Sequence, residues 1–195
     1  MSAAERTCGP CQACCVALKI KSPELRKQSG TPCLHLAENG CGIYQSRPQV
    51  CRAFLCGWRL LPELDASWRP DLSGVMLLRL SEKEVASAYR AAGPGWVLVI
   101  IDAAKALTPR LARHVAGLVA RGSAVYLSAM TPRIQLNEQL QAPVAANDLH
   151  AVLAVLKQVH ARLEPARTGS GLSGVLALYR AQLDRMRAVL ERKPR

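Results

Sequence analysis

The sequence predicts a mixed α+β or α/β chain, with a cysteine-rich N-terminal lobe joined to a small three-stranded α/β lobe that ends in a helix. Three observations carry this. All 8 cysteines (Cys8, Cys11, Cys14, Cys15, Cys33, Cys41, Cys51 and Cys56) fall in the opening segment, and none follows. Short apolar runs at 75–80, 96–101 and 124–130 have the length and side-chain types of strands. Helical patterns fill the space between the last two, which is the alternation of a βαβ unit. A chain of 195 residues, 50% of them hydrophobic, is long and apolar enough to bury a core without staples and is not a disordered polymer. The expected division is a cysteine-rich lobe over 1–60, an irregular connector over 61–70, and the α/β lobe with its C-terminal basic helix over 71–195.

Residues 16–31 read as a polar helix or loop, with Ser22-Pro23-Glu24 as a helix start. Trp58–Pro70 is punctuated by tryptophan and proline and reads as an irregular segment packing one lobe on the other. Val75–Leu80 is the first strand. Ser81-Glu82-Lys83-Glu84 has the spacing of a capping box and predicts a helix to about Ala91, broken by Gly93-Pro94-Gly95. Trp96–Ile101 is continuously apolar, the mark of a strand buried on both faces. Thr108-Pro109 starts a helix that reaches about Arg121, where Gly122 ends it. Ala124–Met130 is the third strand, and strand–helix–strand over 96–130 predicts adjacent parallel strands in a right-handed connection. Asn147-Asp148 opens a further helix to about Leu163. Gly169–Gly174 is then a joint before a last helix to about Glu191.

The opening residues carry neither a basic region nor an apolar run of the secretory kind. The longest strongly apolar run, Trp96–Ile101, is far short of the ~18 residues a membrane helix needs. These features predict a cytoplasmic protein with no membrane span. Thiols are kept reduced there, so dense cysteines read as metal or redox chemistry before disulfides. The spacing is C-x2-C-x2-C-C, then C-x7-C-x9-C-x4-C. Cys8, Cys11 and Cys14 recur every third residue, a spacing that supplies three ligands to one cluster in bacterial ferredoxins. Single C-x2-C pairs also make half of a tetrahedral zinc site. Cys15 adjoins Cys14 and points to a second site or to the core. All 8 thiols are therefore candidate ligands for an iron–sulfur cluster of the 4Fe-4S type or for Zn2+, at one or two sites, and spacing leaves open which cysteines share a site. Two other readings of these cysteines compete: a disulfide scaffold, and a thioredoxin-type dithiol at Cys8-Gly-Pro-Cys11. The first is disfavoured by the long cysteine-free remainder, the second by the lack of a preceding strand.

The CxxCxxCC opening, Cys8–Cys15, is followed by Cys33 and by Cys41-x-Ile43-Tyr44-x-x-Arg47-Pro48-x-x-Cys51-Arg52-x-Phe54 and Cys56. This pattern resembles the YkgJ-type cysteine-cluster family. The resemblance covers about the first third of the chain and implies a zinc- or iron-chelating domain rather than a defined reaction. A similar pattern occurs in the flagellin lysine methylases, from which this chain departs by its short length and its lack of a nucleotide-binding glycine loop.

Arg47 and Arg52 bring positive charge close to the thiolates, and guanidinium groups can offset a four-thiolate site and donate to sulfur. Ile43, Tyr44 and Phe54 read as packing, and His35 as structural. No GxGxxG, Walker loop or HExxH is present. Asp102 and residues 130–133, at the ends of strands, are places to look for a ligand, though an aspartate there more often caps a turn. His114, His150 and His160 have no ligand spacing. Basic residues outnumber acidic ones, 26 to 14, for a net charge of +12. The terminal segment, with Arg180, Arg185, Arg187, Arg192, Lys193 and Arg195, is the one surface suited to an acidic partner. It lacks the interleaved aromatics of a nucleic-acid stacking platform, which disfavours nucleic acid as the partner. The expected function is thus metal or cluster binding. Alternatives are an iron–sulfur redox enzyme or sensor, and a basic zinc protein with a protein or nucleic-acid partner.

Overall fold

The computed structural model describes residues 6–129 and 133–168. The cysteine-rich segment is built of very short elements. Helix α1 spans Ala13–Ala17, and β1 (Ile20–Lys21) pairs antiparallel with β2 (Arg26–Lys27). The expected helix after Ser22 does not form. Ser22 Oγ instead accepts from Leu25 N (3.1 Å) while its own N–H bonds Leu25 O (3.0 Å), closing the turn between β1 and β2 over a buried Leu25. Serine competing for local backbone groups in this way favours turns over helices. A second hairpin joins β3 (Leu36–Ala37) to β4 (Gly40–Cys41). A 3-10 turn over Tyr44–Ser46, α2 (Gln49–Ala53) and α3 (Gly57–Leu60) follow.

The stretch expected to be irregular contains a 3-10 turn over Ala66–Trp68 and a short α4 (Pro70–Ser73) with proline at its first turn. It does pack the two parts together. Trp58, Leu64 and Trp68 belong to the same buried cluster as the sheet, and Trp58 Nε1 donates to Asp65 O (3.0 Å). Arg6 clamps this segment by donating to the carbonyls of Trp58, Leu61 (3.1 Å) and Pro62 (2.9 Å).

The remainder is a four-stranded sheet in the order β5 (Val75–Arg79), β6 (Trp96–Ile100), β7 (Val125–Ser128), β8 (Arg133–Gln135). Strands β6 and β7 are parallel neighbours, Trp96 opposite Val125, as the βαβ reading expects. Strands β5 and β8 flank them antiparallel. Every residue of β6 and β7 is buried, which accounts for their near-continuous apolar sequence. The expectation of three strands is corrected by β8. Its three residues, Arg-Ile-Gln, are too few to show a period.

The helix expected over 81–91 is also corrected, to two 3-10 turns, Glu82–Glu84 and Ser87–Ala92. The capping pair is real, with Glu84 Oε2 accepting from Ser81 N (3.1 Å) and Ser81 Oγ (2.9 Å). Val85 then turns extended (ψ 135°) to bury its side chain against the core, and the helix cannot propagate through it.

Helix α5 (Ala103–Ala106) precedes α6 (Pro109–Ala120), which buries Leu111, Ala112, Val115 and Leu118 at helical spacing. Helix α7 (Asn137–Ala145), not read from the sequence, and α8 (Leu149–Thr168) pack with α6. Asn137 is buried and ties α7 to the sheet, accepting from Val125 N and donating to Ser123 O, each at 2.9 Å. Asp148 accepts from Ala151 N (2.9 Å), so the Asn147-Asp148 start of α8 is as expected. The joint at 169–174 and the basic terminal helix lie outside the described residues. Among the described residues no helix is long and apolar enough to cross a membrane.

Asp102, at the carboxyl end of β6, is a helix cap. Its Oδ1 accepts from Ala104 N (3.1 Å) and Lys105 N (3.3 Å), and Oδ2 lies 3.6 Å from Lys105 Nζ. Asp102→Ala is therefore expected to cost about 1 kcal/mol, the usual loss for an N-cap, seen as a fall in Tm of about 2–4 °C by thermal denaturation.

Candidate metal centre

The elements of the first 56 residues are held together by backbone contacts that bring distant cysteines to one place. Cys11 N donates to Cys8 O (3.1 Å), which curls the opening loop, and Cys33 N donates to Cys15 O (2.9 Å), which fastens the second segment to α1. The turn of the β3–β4 hairpin lies on the opening loop. Gly40 has φ +116°, and a Cβ there would sit 2.9 Å from Gly9 O, so only glycine permits this approach. Gln12 Nε2 secures the same junction by donating to Ala37 O and Glu38 O, each at 2.8 Å. Glu24 accepts from Gln49 N (3.0 Å) and so joins the β1–β2 turn to the start of α2. Cys56 caps the start of α3 in extended geometry.

As a result all eight cysteines line a single cavity of about 220 Å3. Cys33 and Cys56 are buried, the other six are half-buried, and none is in a disulfide. The segment that spells the dithiol motif is a turn, with no strand before it among the described residues.

The thiols feel one another. Cys14 donates to Cys15. This bond, with burial and the charges of Cys15, Cys8 and Cys11, pushes Cys14 far above the usual thiol range. Accepting that bond draws Cys15 down to about 7, against the opposing effect of burial and with help from Lys27 and Arg47. Burial pushes Cys11 up to about 11; the backbone N–H groups of Ala13 and Asp71 oppose this, and the Asp71 carboxylate adds to it. Burial also raises Cys51, with the neighbouring charges of Cys15, Cys33 and Cys41 reinforcing it and Arg47 opposing. Cys56 is raised by burial and by Cys8, with Arg59 pulling the other way.

Several cations stand around this set, Lys19 and Lys21 among the cavity lining. Lys27 Nζ is spent on carbonyls, those of Val16 (3.1 Å), Leu18 and Gln28 (3.0 Å), and lies near Cys33, Cys15 and Cys14. Arg47 lines the cavity and stacks on Tyr44, 3.6 Å from the ring centroid. Arg59, which the sequence reading did not single out, lines it too. The Nε atoms of Arg47 and Arg59 are buried and have no hydrogen-bond partner among the described residues. Arg52 stands elsewhere. It is exposed, bonds Gln49 Oε1 at 3.1 and 3.2 Å, and is not part of the lining. His35 is at the cavity wall, whereas His114 packs on Trp68, 4.9 Å between ring centroids, far along the chain from the thiols.

The donor set suits a soft metal or an iron–sulfur cluster. It offers sulfur ligands, flanking cations to offset thiolate charge, and two buried guanidinium nitrogens that a thiolate or sulfide acceptor would satisfy. Among the described residues, no three Cys, His, Asp or Glu side chains stand in ready chelating geometry, so holding an ion requires the cysteine side chains to rotate inward. Neutral thiols gain nothing by converging, whereas thiolates converge on a cation. No protein-family model, curated protein or solved structure matches the chain.

Proposed function

We propose that the chain is a cytoplasmic metal-binding cysteine-cluster protein of the YkgJ type, which holds an iron–sulfur cluster or zinc on the thiols of its N-terminal lobe. The observation that supports this is the lining of one cavity by eight cysteines, none disulfide-bonded, drawn from segments far apart in sequence. Bound zinc would supply a structural cross-link, and a bound cluster electron exchange. The chain's own residues do the rest. The cysteines would give up their protons to become ligands, Lys27, Arg47 and Arg59 would offset the charge so created, and Leu18, Phe54 and Met76 supply an apolar wall beside the sulfurs.

The test is metal and acid-labile sulfide analysis of protein purified without oxygen. Stoichiometric zinc, or iron with equal sulfide and absorption near ~400 nm, is the expected result. Iron and sulfide that bleach reversibly on reduction would favour a redox enzyme or sensor, whereas colourless zinc protein would remove that reading. Protein lacking both metals, with its thiols freely reactive, would sink the proposal.

A further inference from the structure

We infer that the eight thiols form two four-cysteine centres, an inner one made by Cys8, Cys11, Cys14 and Cys56 and an outer one made by Cys15, Cys33, Cys41 and Cys51. This rests on the metal-binding reading and divides a set that the sequence spacing leaves undivided.

Four features, the first two geometric, together support this partition. The first is packing. Cys56 belongs to the buried hydrophobic cluster, and Cys11 and Cys14 pack against it, whereas Cys8, Cys15, Cys33, Cys41 and Cys51 do not, so packing picks out three of the inner set and Cys8 joins them through its backbone bond to Cys11. The second is backbone connection. Cys11 bonds back to Cys8 inside the inner set, and Cys33 bonds back to Cys15 inside the outer set. The third is electrostatic neighbourhood. Cys56 lies near Cys8, and Cys51 near Cys15, Cys33 and Cys41, while Cys14 feels its chain neighbour Cys15 first and then Cys8 and Cys11. The fourth is the pair of orphaned guanidinium nitrogens. Arg59 acts on Cys56 of the inner set, and Arg47 acts on Cys15 and Cys51 of the outer set, so each centre has its own arginine with a buried, unpartnered Nε.

The two sets meet at Cys14 and Cys15. Successive residues of a helix diverge by about 100°, so one short helix can send neighbouring thiols to different centres. This gives the double cysteine of α1 a role that a single site cannot. Each Zn2+ bound by four thiols displaces four protons and leaves a site of charge −2, which explains why each set needs its own cation.

The experiment loads the full-length, reduced, metal-free chain with Zn2+ alone and counts bound zinc. The unaltered chain should hold two ions. Cys8→Ser with Cys56→Ser, both in one set, should hold one, and so should Cys41→Ser with Cys51→Ser. Cys41→Ser with Cys56→Ser, one from each set, should hold none. One ion retained by that mixed pair, or two retained by either matched pair, would overturn the partition. Substitutions that unfold the lobe are bypassed on the unaltered chain by alkylating it at limiting Zn2+ and mapping the protected cysteines by mass spectrometry. Chains carrying one ion should protect one of the two sets as a block. Protection of Cys8 together with Cys41, or of all eight by a single ion, would overturn the inference. Failure to bind any zinc, in protein that also lacks iron and sulfide as purified, would instead sink the metal reading itself.

Discussion

Stripping the metal with a chelator is expected to open residues 8–56 to protease while the four-stranded sheet and helices α6–α8 persist. The reason lies in where the large apolar side chains are. All of the largest fully buried side chains lie at Met76 or beyond, among them Leu98, Ile100, Leu111, Leu127, Leu140 and Leu156. Among residues 8–56 the buried apolar residues are Ala13, Ala17, Leu25, Cys33 and Cys56. Helix α1 has 5 residues and the strands before β5 have 2 each, lengths at which neither helix nor sheet holds in water by itself. Ordering a backbone costs about 1–2 kcal/mol per residue, and so little burial does not offset it. A structural zinc in small peptides contributes an apparent ~10–16 kcal/mol, enough to decide whether such a lobe is folded. The measurement is limited proteolysis with far-UV circular dichroism during chelation. Cleavage should begin before Cys56, with most of the helical signal retained. Metal released without new cleavage would mean that the lobe stands on its own packing and that the thiols serve another chemistry.

How much of this was legible follows from which forces act locally. Strands β6 and β7 and helix α6 were legible because burial on both faces writes a continuous apolar run, and burial on one face writes a helical period. The Thr108-Pro109 and Gly122 boundaries are backbone rules that need no tertiary context. The capping pair of Ser81 and Glu84 was also read correctly, yet the helix it announced stops at once, because Val85 gains more from burial against the core than from another helical turn. Strand β8 and the two small hairpins escaped notice because elements of two or three residues carry no period. The signal that could have found α7 was Asn137, a polar residue between Leu136 and Leu140, but its value lies in bonds to Ser123 and Val125 that only the folded chain brings near. At the candidate centre the cysteines were legible as a set, since nothing else explains their density. The partition inferred above was not, because it rests on which thiols pack against the core. Arg59 escaped for a related reason, since it lies just past the last cysteine and only α3 turns it back toward the cavity.

Gly57→Ala is expected to be among the most damaging single-methyl additions in this protein, while Gly117→Ala should stabilise it. Gly57 opens α3 directly after Cys56, and its backbone lies against the sheet. A Cβ there would sit 2.4 Å from Leu77 Cβ, 3.2 Å from Leu77 Cδ1 and 3.3 Å from Trp96 Cζ3. A contact of 2.4 Å cannot be relieved by rotating a side chain, because the Leu77 atom is fixed to its own backbone. Helix α3 must therefore move off β5, which carries Cys56 and Arg59 away from the cavity they line. Overpacking of this kind costs about 1–3 kcal/mol, and here it would also disturb a proposed metal ligand. Gly117 lies inside α6, where a Cβ would meet the far end of the flexible Arg121 side chain, Nη1 at 3.3 Å, which can swing aside. There the methyl group acts through helix propensity, and alanine gains about 0.8–1 kcal/mol over glycine. Chemical denaturation of both variants with metal present should move their midpoints in opposite directions, and zinc affinity should fall for Gly57→Ala alone. Equal stability of the two variants would mean that α3 is not seated on β5, and the inner centre would then lose its anchor to the sheet.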